Sequence, residues 1–160
     1  MLWLDIVRWL HVIGATVLLG TGAGIAFFMV MAQRTRDPGV IAHVADTVVR
    51  ADILFTTTAV VAQPVTGVLL ATGLGWPLSE GWILWSLLLY VFTGLCWLPV
   101  VWIQTRLRRL ARAAADANEA LPAAFHRLYR LWFVLGFPAF AAVLAIVWLM
   151  IARPDLPAPL

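Results

Sequence analysis

Four long apolar runs constrain the fold of this chain more than any other feature of its sequence. They cover residues 9–32, 53–74, 82–103 and 131–152. A hydrocarbon core about 30 Å thick requires about 20 apolar residues in helical form, and each run reaches that length. The composition agrees, since 63% of the residues are hydrophobic and 12% are charged, against about 25% charged in soluble domains. We therefore predict an all-α fold, a four-helix transmembrane bundle.

Polar segments connect the runs and extend two of them. An amphipathic segment from Val40 leads into the second run, and RLRRLARAAADA continues the third run as a polar helix. The connections RTRDPG (34–39), GWPLSEG (75–81) and NEALPA (118–123) contain Pro, Gly or Asn and are typical of loops. The first run is too long for the core of a signal peptide, so we expect it to remain as a span. Residues 1–153 are thus predicted to form one membrane domain, followed by a proline-rich tail without regular structure over 154–160.

The distribution of arginine predicts the orientation. Nine of the eleven basic residues flank loops one and three, whereas only Arg8 and Arg153 lie on the other side. Because positive charge is retained in the cytoplasm, both termini are expected outside and loops one and three in the cytoplasm of a bacterial inner membrane. The segment RLRRLAR is expected to touch anionic headgroups. Since the arginines cluster at the ends of spans, we assign the basic charge to topology and expect no nucleic-acid partner.

His11 is the first candidate for chemistry, because it stands inside the first span beside several small residues. An ionisable residue inside a span is a candidate functional residue. On a helix, Gly22 lies on the same face as His11, and Gly14 lies at the edge of that face. These glycines have two interpretations: close helix packing, or a slot for a flat porphyrin with His11 as the axial metal ligand. Gly20 and Gly24 form a small-xxx-small pair on the opposite face, which favours packing against a neighbouring helix.

Three further residues are candidates for a cofactor site. Met150 is the sulfur ligand expected at a depth similar to that of His11, and His/Met ligation of haem is known. Gln63 and Tyr90 are polar groups near mid-membrane that suit a quinone headgroup or a proton wire. The alternative is that they satisfy carbonyl groups freed by prolines, because each of the last three spans contains one.

The remaining histidines and the absence of several motifs narrow the chemistry. His43 and His126 are expected at the cytoplasmic ends of spans two and four, too far from His11 to share a metal with it. They are interpreted as solvated interface residues, with a second cofactor as the alternative. The single Cys96 excludes a cysteine cage. Neither a Ser–His–Asp set nor a phosphate-binding loop is present, so hydrolytic and phosphoryl chemistry have no support.

Four segments carry a resemblance to a known family: WLHVIGA (9–15), ADILFTTTAVVAQPVTG (51–67), GLCWLPVVWIQ (94–104) and FHRLYRLWFVLGFPAF (125–140). Together they resemble a bacterial family of predicted four-helix integral membrane proteins of unknown function. This resemblance implies the fold and no reaction. The first helix is also loosely similar to those of the membrane protoporphyrinogen oxidase and copper-resistance membrane proteins. In the oxidase pattern, the first-helix histidine is paired with a lysine, and this chain has no lysine. His11 matches the first-helix histidine, so haem bound at His11 is the one expectation that this resemblance implies.

Two functions are compatible with these features. The first is a lipid-embedded protein that binds haem b through His11 and transfers electrons, with quinone or another redox protein as partner. The second is a non-enzymatic membrane module for transport or assembly, or an oligomerising subunit, without a cofactor. The sequence leaves open whether the protein is an enzyme and whether it forms a homo-oligomer.

Overall fold

The fold is all-helical, as the sequence predicts, in a computed structural model that describes residues 2–159. Five α-helices follow one another: α1 (Leu2–Thr35), α2 (Pro38–Ala51), α3 (Thr57–Gly73), α4 (Gly81–Ala117) and α5 (Ala123–Ala152). A π-helical turn, Asp52–Thr56, joins α2 to α3, so that these two helices form one continuous element of 36 residues. Four helical elements are therefore long and apolar enough to cross a membrane, which confirms the predicted bundle.

The helices extend further than the apolar runs. α1 begins at Leu2, well before the predicted span, and α5 begins at Ala123, so that FHRLYR is helical. The predicted polar continuation of the third span is confirmed, because α4 continues to Ala117. Loop one is shorter than predicted: Pro38 and Gly39 already belong to the first turn of α2. Asp37 caps this turn by accepting hydrogen bonds from the backbone N–H groups of Gly39 at 2.7 Å and Val40 at 3.2 Å.

The most completely buried part of the molecule lies at the end where most arginines are found. We call it the arginine-end core; it contains Ile25, Met29, Ala32, Ile41, Ala42, Ala45, Val48, Ile103, Leu107, Ala111, Phe125 and Trp132. A smaller cluster at the opposite end contains Ala71, Trp82, Ile83 and Leu149. Between them, large apolar side chains such as Leu95, Val134 and Phe137 are more than 60% exposed. Such a surface suits contact with lipid.

In the membrane half, the helices associate as two pairs. α3 packs on α1, and α4 packs on α5, while contacts between α1 and α5 are fewer and those between α3 and α4 are sparse. The two pairs are held together more extensively at the arginine-rich end, where α2 contacts both α1 and α4.

The expected packing of Gly20 and Gly24 against another helix of the bundle is not found. A Cβ added at Gly20 would meet no atom within 4 Å, and one at Gly24 would meet only Phe28 of the same helix. This face of α1 is therefore open within the chain. A homo-oligomer, which would use such a face, stays a prediction.

The described part of the proline-rich tail, residues 154–159, has no regular structure but is packed onto the bundle. The Trp85 indole N–H donates to the Pro157 carbonyl at 3.2 Å, and Leu156 packs against the cluster at the opposite end. A side chain at Gly81 would collide with the backbone of Leu156. The Arg153 guanidinium lies 5.7 Å from the ring of Trp76 and 5.8 Å from that of Trp82. Trp76 and Trp82 thus lie where the end of α5 and the tail pack onto the bundle.

Candidate functional site

His11 contributes to the contact between α1 and α3. Its Nδ1 lies 2.8 Å from the Thr66 hydroxyl oxygen, and that hydroxyl donates to the Ala62 carbonyl at 2.8 Å. Because the hydroxyl hydrogen is used in this way, we assign the proton of the imidazole to Nδ1, which donates to Thr66. The Nε2 atom then carries the free lone pair. A Cβ on Gly67 would stand 3.3 Å from the ring, so the absence of a side chain there makes room for His11.

Gln63 and Gly14 form the second part of the same contact. The Gln63 amide nitrogen donates to the His11 carbonyl at 2.9 Å. A Cβ on Gly14 would collide with this amide. Gly14 therefore provides the space that Gln63 occupies.

These contacts determine where a haem would fit. A porphyrin ligated by His11 requires a flat slot next to Nε2. The side chain of Gln63 and the packing of the ring against Gly67 fill the α1–α3 contact, so the residues there do not fit a porphyrin between these two helices. His11 is only partly buried, and a haem would have to approach Nε2 from outside that contact.

Gly22 and Met150, two other predicted cofactor residues, pack against other parts of the bundle. Gly22 is eleven residues further along α1, about 16 Å by helical rise, and a Cβ added there would stand 4.0 Å from the Phe140 ring of α5. Met150 packs against the cluster of Ala71, Trp82, Ile83 and Leu149, which lies at the same end of the bundle as His11. His43 and His126 are exposed. Among the residues that the structure describes, no group of three or more His, Cys, Asp or Glu could hold a metal ion.

Tyr90 has a clear structural partner. Its hydroxyl donates to the carbonyl of Val60, four residues before Pro64 in α3. Proline has no N–H, so the carbonyl four residues earlier loses its helical hydrogen bond. Tyr90 of α4 replaces this bond and connects the two helix pairs. Of the two interpretations of Tyr90, satisfaction of a freed carbonyl is the one for which a contact is present.

A buried polar network centred on Asp52 was not predicted from the sequence. This residue, 4% exposed, lies in the π-helical turn. The Trp97 indole N–H donates to its Oδ1 at 3.4 Å. The Gln104 amide, with its nitrogen towards Asp52, donates to Oδ2 at 3.1 Å and accepts from the Trp132 indole at 3.3 Å. This orientation is assigned because the opposite one would place the Gln104 amide oxygen against the Asp52 carboxylate and the amide N–H against the Trp132 indole N–H.

All donors that the described structure places on Asp52 are neutral. Both carboxylate oxygens accept hydrogen bonds, from an indole and an amide, and no arginine forms an ion pair with this residue within residues 2–159. The charged groups on the nearest turns, Asp46, Arg50 and Arg108, pair with one another. From α1, the apolar Ile25 and Met29 enter the same core. An ionised Asp52 is thus a buried charge without a counter-ion, which is costly.

Asp52 continues the buried face of α2, since it follows the buried Val48 by four residues and Val49 by three, and it is the first residue of the π-helical turn. A π turn inserts one extra residue into a helix and is frequent at functional sites. Asp52 is polar and directly precedes the second apolar run, so it falls in the amphipathic segment outside the predicted span. Gln104 lies one residue beyond the third run, and neither it nor Trp97 and Trp132 gave a separate signal. The sequence indicated this network only through the position of two polar residues, Asp52 and Gln104, at matching ends of neighbouring spans.

Comparison with known proteins places the chain in a family and no further. Residues 5–154 match the model of a family described as "Predicted integral membrane protein (DUF2269)". Because the match covers most of the sequence, the chain belongs to this family of integral membrane proteins. No curated protein and no solved structure matches the chain.

Proposed function

We propose that this protein is a membrane module of the transport class in which Asp52 binds and releases a proton. One observation carries the proposal: a carboxyl group 4% exposed, at the edge of the apolar layer, held only by neutral donors. Titratable groups in such places are rare and typical of proton relays and transport pathways. The neutral donors stabilise the ionised carboxylate, whereas burial without a counter-ion disfavours it. Because these two effects oppose each other, we expect both protonation states of Asp52 to be accessible.

The arrangement of the helices supports transport over assembly alone. Asp52 lies where the α2–α3 element meets α4 and α5, and in the membrane half the pairs α1/α3 and α4/α5 share few contacts. Many transporters work by moving one group of helices against another around a fixed site. A carboxyl group at the junction of two such pairs would be exposed to water by a small relative movement.

Proton binding is tested directly by infrared difference spectroscopy of the reconstituted protein, titrated from about pH 4 to about pH 9. The wild type is expected to show the C=O band of a protonated carboxyl group that disappears with rising pH. Asp52→Asn should remove this band, whereas Glu119→Gln, which changes an exposed carboxylate at the same end, should keep it. An unchanged spectrum in Asp52→Asn would contradict the proposal.

Proton movement is tested separately in liposomes that contain a pH-sensitive dye. After an imposed pH step, wild-type vesicles are expected to equilibrate faster than empty ones, and Asp52→Asn vesicles should behave as empty ones. Flux that is equal in the wild type and Asp52→Asn would exclude Asp52 from the path. Proton binding without flux would overturn the transport assignment.

Electron transfer through haem b is the second candidate function, because His11 is an ionisable and partly buried side chain inside the first span. Neutral imidazole nitrogen is a common axial ligand of haem iron. The test is the absorption spectrum of the detergent-purified protein after haem supplementation, oxidised and reduced with dithionite. A Soret band that His11→Ala abolishes would support haem, and a quinone or protein partner could then be sought. No band from the folded protein would exclude it.

A further inference from the structure

We infer that a cleft between α2 and α4 binds the phosphate group of an anionic phospholipid. The cleft has a volume of about 520 Å³ and is lined by Asp46, Arg108, Arg109, Arg112, Ala113 and Asp116. This inference does not depend on the proposed function of Asp52, because it uses a different set of residues on the outer surface of the arginine-rich end.

The charges in the cleft leave unused capacity for an anion. Asp46 is shared by three guanidinium groups, at 3.7 Å from Arg50, 3.7 Å from Arg108 and 3.3 Å from Arg112. Asp116 also lines the cleft, and two carboxylates cannot occupy all the N–H donors of Arg108, Arg109 and Arg112, which carry five each. Asp46 therefore gathers the arginines without saturating them, and planar guanidinium groups are well suited to phosphate.

The depth of the cleft favours a lipid over a soluble anion. Arg108 is five residues beyond Ile103, the end of the apolar run, which is about 7–8 Å along the helix. The headgroup layer on each side of the hydrocarbon core is about 5–8 Å thick. Long side chains on a helix lean towards its N-terminus, which for α4 is towards the membrane. Trp102, 56% exposed with Arg106 at 5.6 Å from its ring, marks the same boundary.

The experiment measures lipid binding to the full-length protein in detergent by native mass spectrometry, with phosphatidylglycerol added stepwise. Arg108→Gln combined with Arg112→Gln is expected to weaken binding about 30-fold, which corresponds to about 1 kcal/mol for each arginine near the membrane surface. Arg127→Gln combined with Arg130→Gln removes the same charge from α5 and should change the affinity less than threefold. Asp46→Asn should strengthen binding, because it removes the competing carboxylate.

Three results would overturn the inference. An equal loss of phosphatidylglycerol affinity in both double variants would show diffuse attraction to the whole basic surface. Weaker binding by Asp46→Asn would show that Asp46 is required to position the arginines and does not compete with the ligand. The third result comes from a competition experiment with inorganic phosphate. If it displaces phosphatidylglycerol at low millimolar concentration, or protects the protein against heating while the lipid does not, the site takes a soluble anion. Phosphatidylcholine, which is zwitterionic, is expected to bind more weakly than phosphatidylglycerol.

Discussion

At the scale of single residues, three polar side chains inside the spans connect neighbouring helices. Gln63 donates to the His11 carbonyl, Tyr90 to the Val60 carbonyl, and His11 contacts Thr66. In a bilayer every backbone polar group needs a partner, since no water is present to supply one. The sequence identified these residues as unusual because of their polarity, but their partners depend on tertiary contacts that no local pattern encodes.

The contact between Gly14 and Gln63 gives a prediction with a matched control. Gly14→Ala should displace the Gln63 amide and weaken its bond to His11, whereas Gly20→Ala enters open space. Both changes alter helix propensity equally, so their difference isolates the contact. We expect Gly14→Ala to be less stable than Gly20→Ala by about 1 kcal/mol, within the range for interhelical hydrogen bonds in membranes. The measurement is unfolding in mixed detergent micelles followed by circular dichroism.

The control for this prediction is the same comparison in a Gln63→Ala background. There the two alanine variants should have equal stability, because the amide that Gly14 accommodates is gone. A difference that persists without Gln63 would show that Gly14 acts through another contact.

At the scale of elements, Pro64 and Tyr90 form a coupled pair across α3 and α4. Tyr90→Phe should leave the Val60 carbonyl without a partner and destabilise the protein by about 1–3 kcal/mol. In a Pro64→Ala background the backbone N–H of residue 64 can supply the helical bond, so the same Tyr90→Phe change should cost less. Unfolding of the four proteins of this double-mutant cycle measures the coupling. Equal costs of Tyr90→Phe in both backgrounds would contradict it.

The elements also show which parts of the fold could be predicted. Length and hydropathy predicted the four spans and the polar extension of α4, because both depend on the chemistry of many successive residues. The π-helical turn at Asp52 was not predicted, since inserting one residue into a helix changes no composition and leaves little periodic signal. Asp52, the first residue of this turn, lies on the buried face of α2, and its hydrogen bonds to Trp97 and Gln104 depend on the packing of α4 against it.

At the scale of the whole molecule, the arginine count predicts an orientation that a direct test can check. The positive-inside rule predicts that Gly75, in the loop between α3 and α4, lies outside and that Asn118, at the C-terminal cap of α4, lies in the cytoplasm. Reporter fusions at these two positions should therefore give opposite results, with alkaline phosphatase active at Gly75 and a fluorescent protein at Asn118. A phosphatase-active fusion at Asn118 would reverse the topology.

The arginine-end core has a consequence for how the chain acquires its structure during synthesis. The core combines Met29 of α1, Ala42 of α2, Leu107 of α4 and Phe125 of α5. It cannot close until the ribosome has made the start of α5, when three of the four spans have already been made. Two of the elements that contribute to it, α2–α3 and α4, have 36 and 37 residues, about 54–56 Å in length, nearly twice the thickness of the hydrocarbon layer. Part of this core therefore lies beyond the hydrocarbon layer, at the depth of the headgroups and the adjoining water. Insertion of the spans, driven by partition into lipid, would come first. The core would then close in a cooperative step, driven outside the hydrocarbon layer by the hydrophobic effect as in a soluble protein.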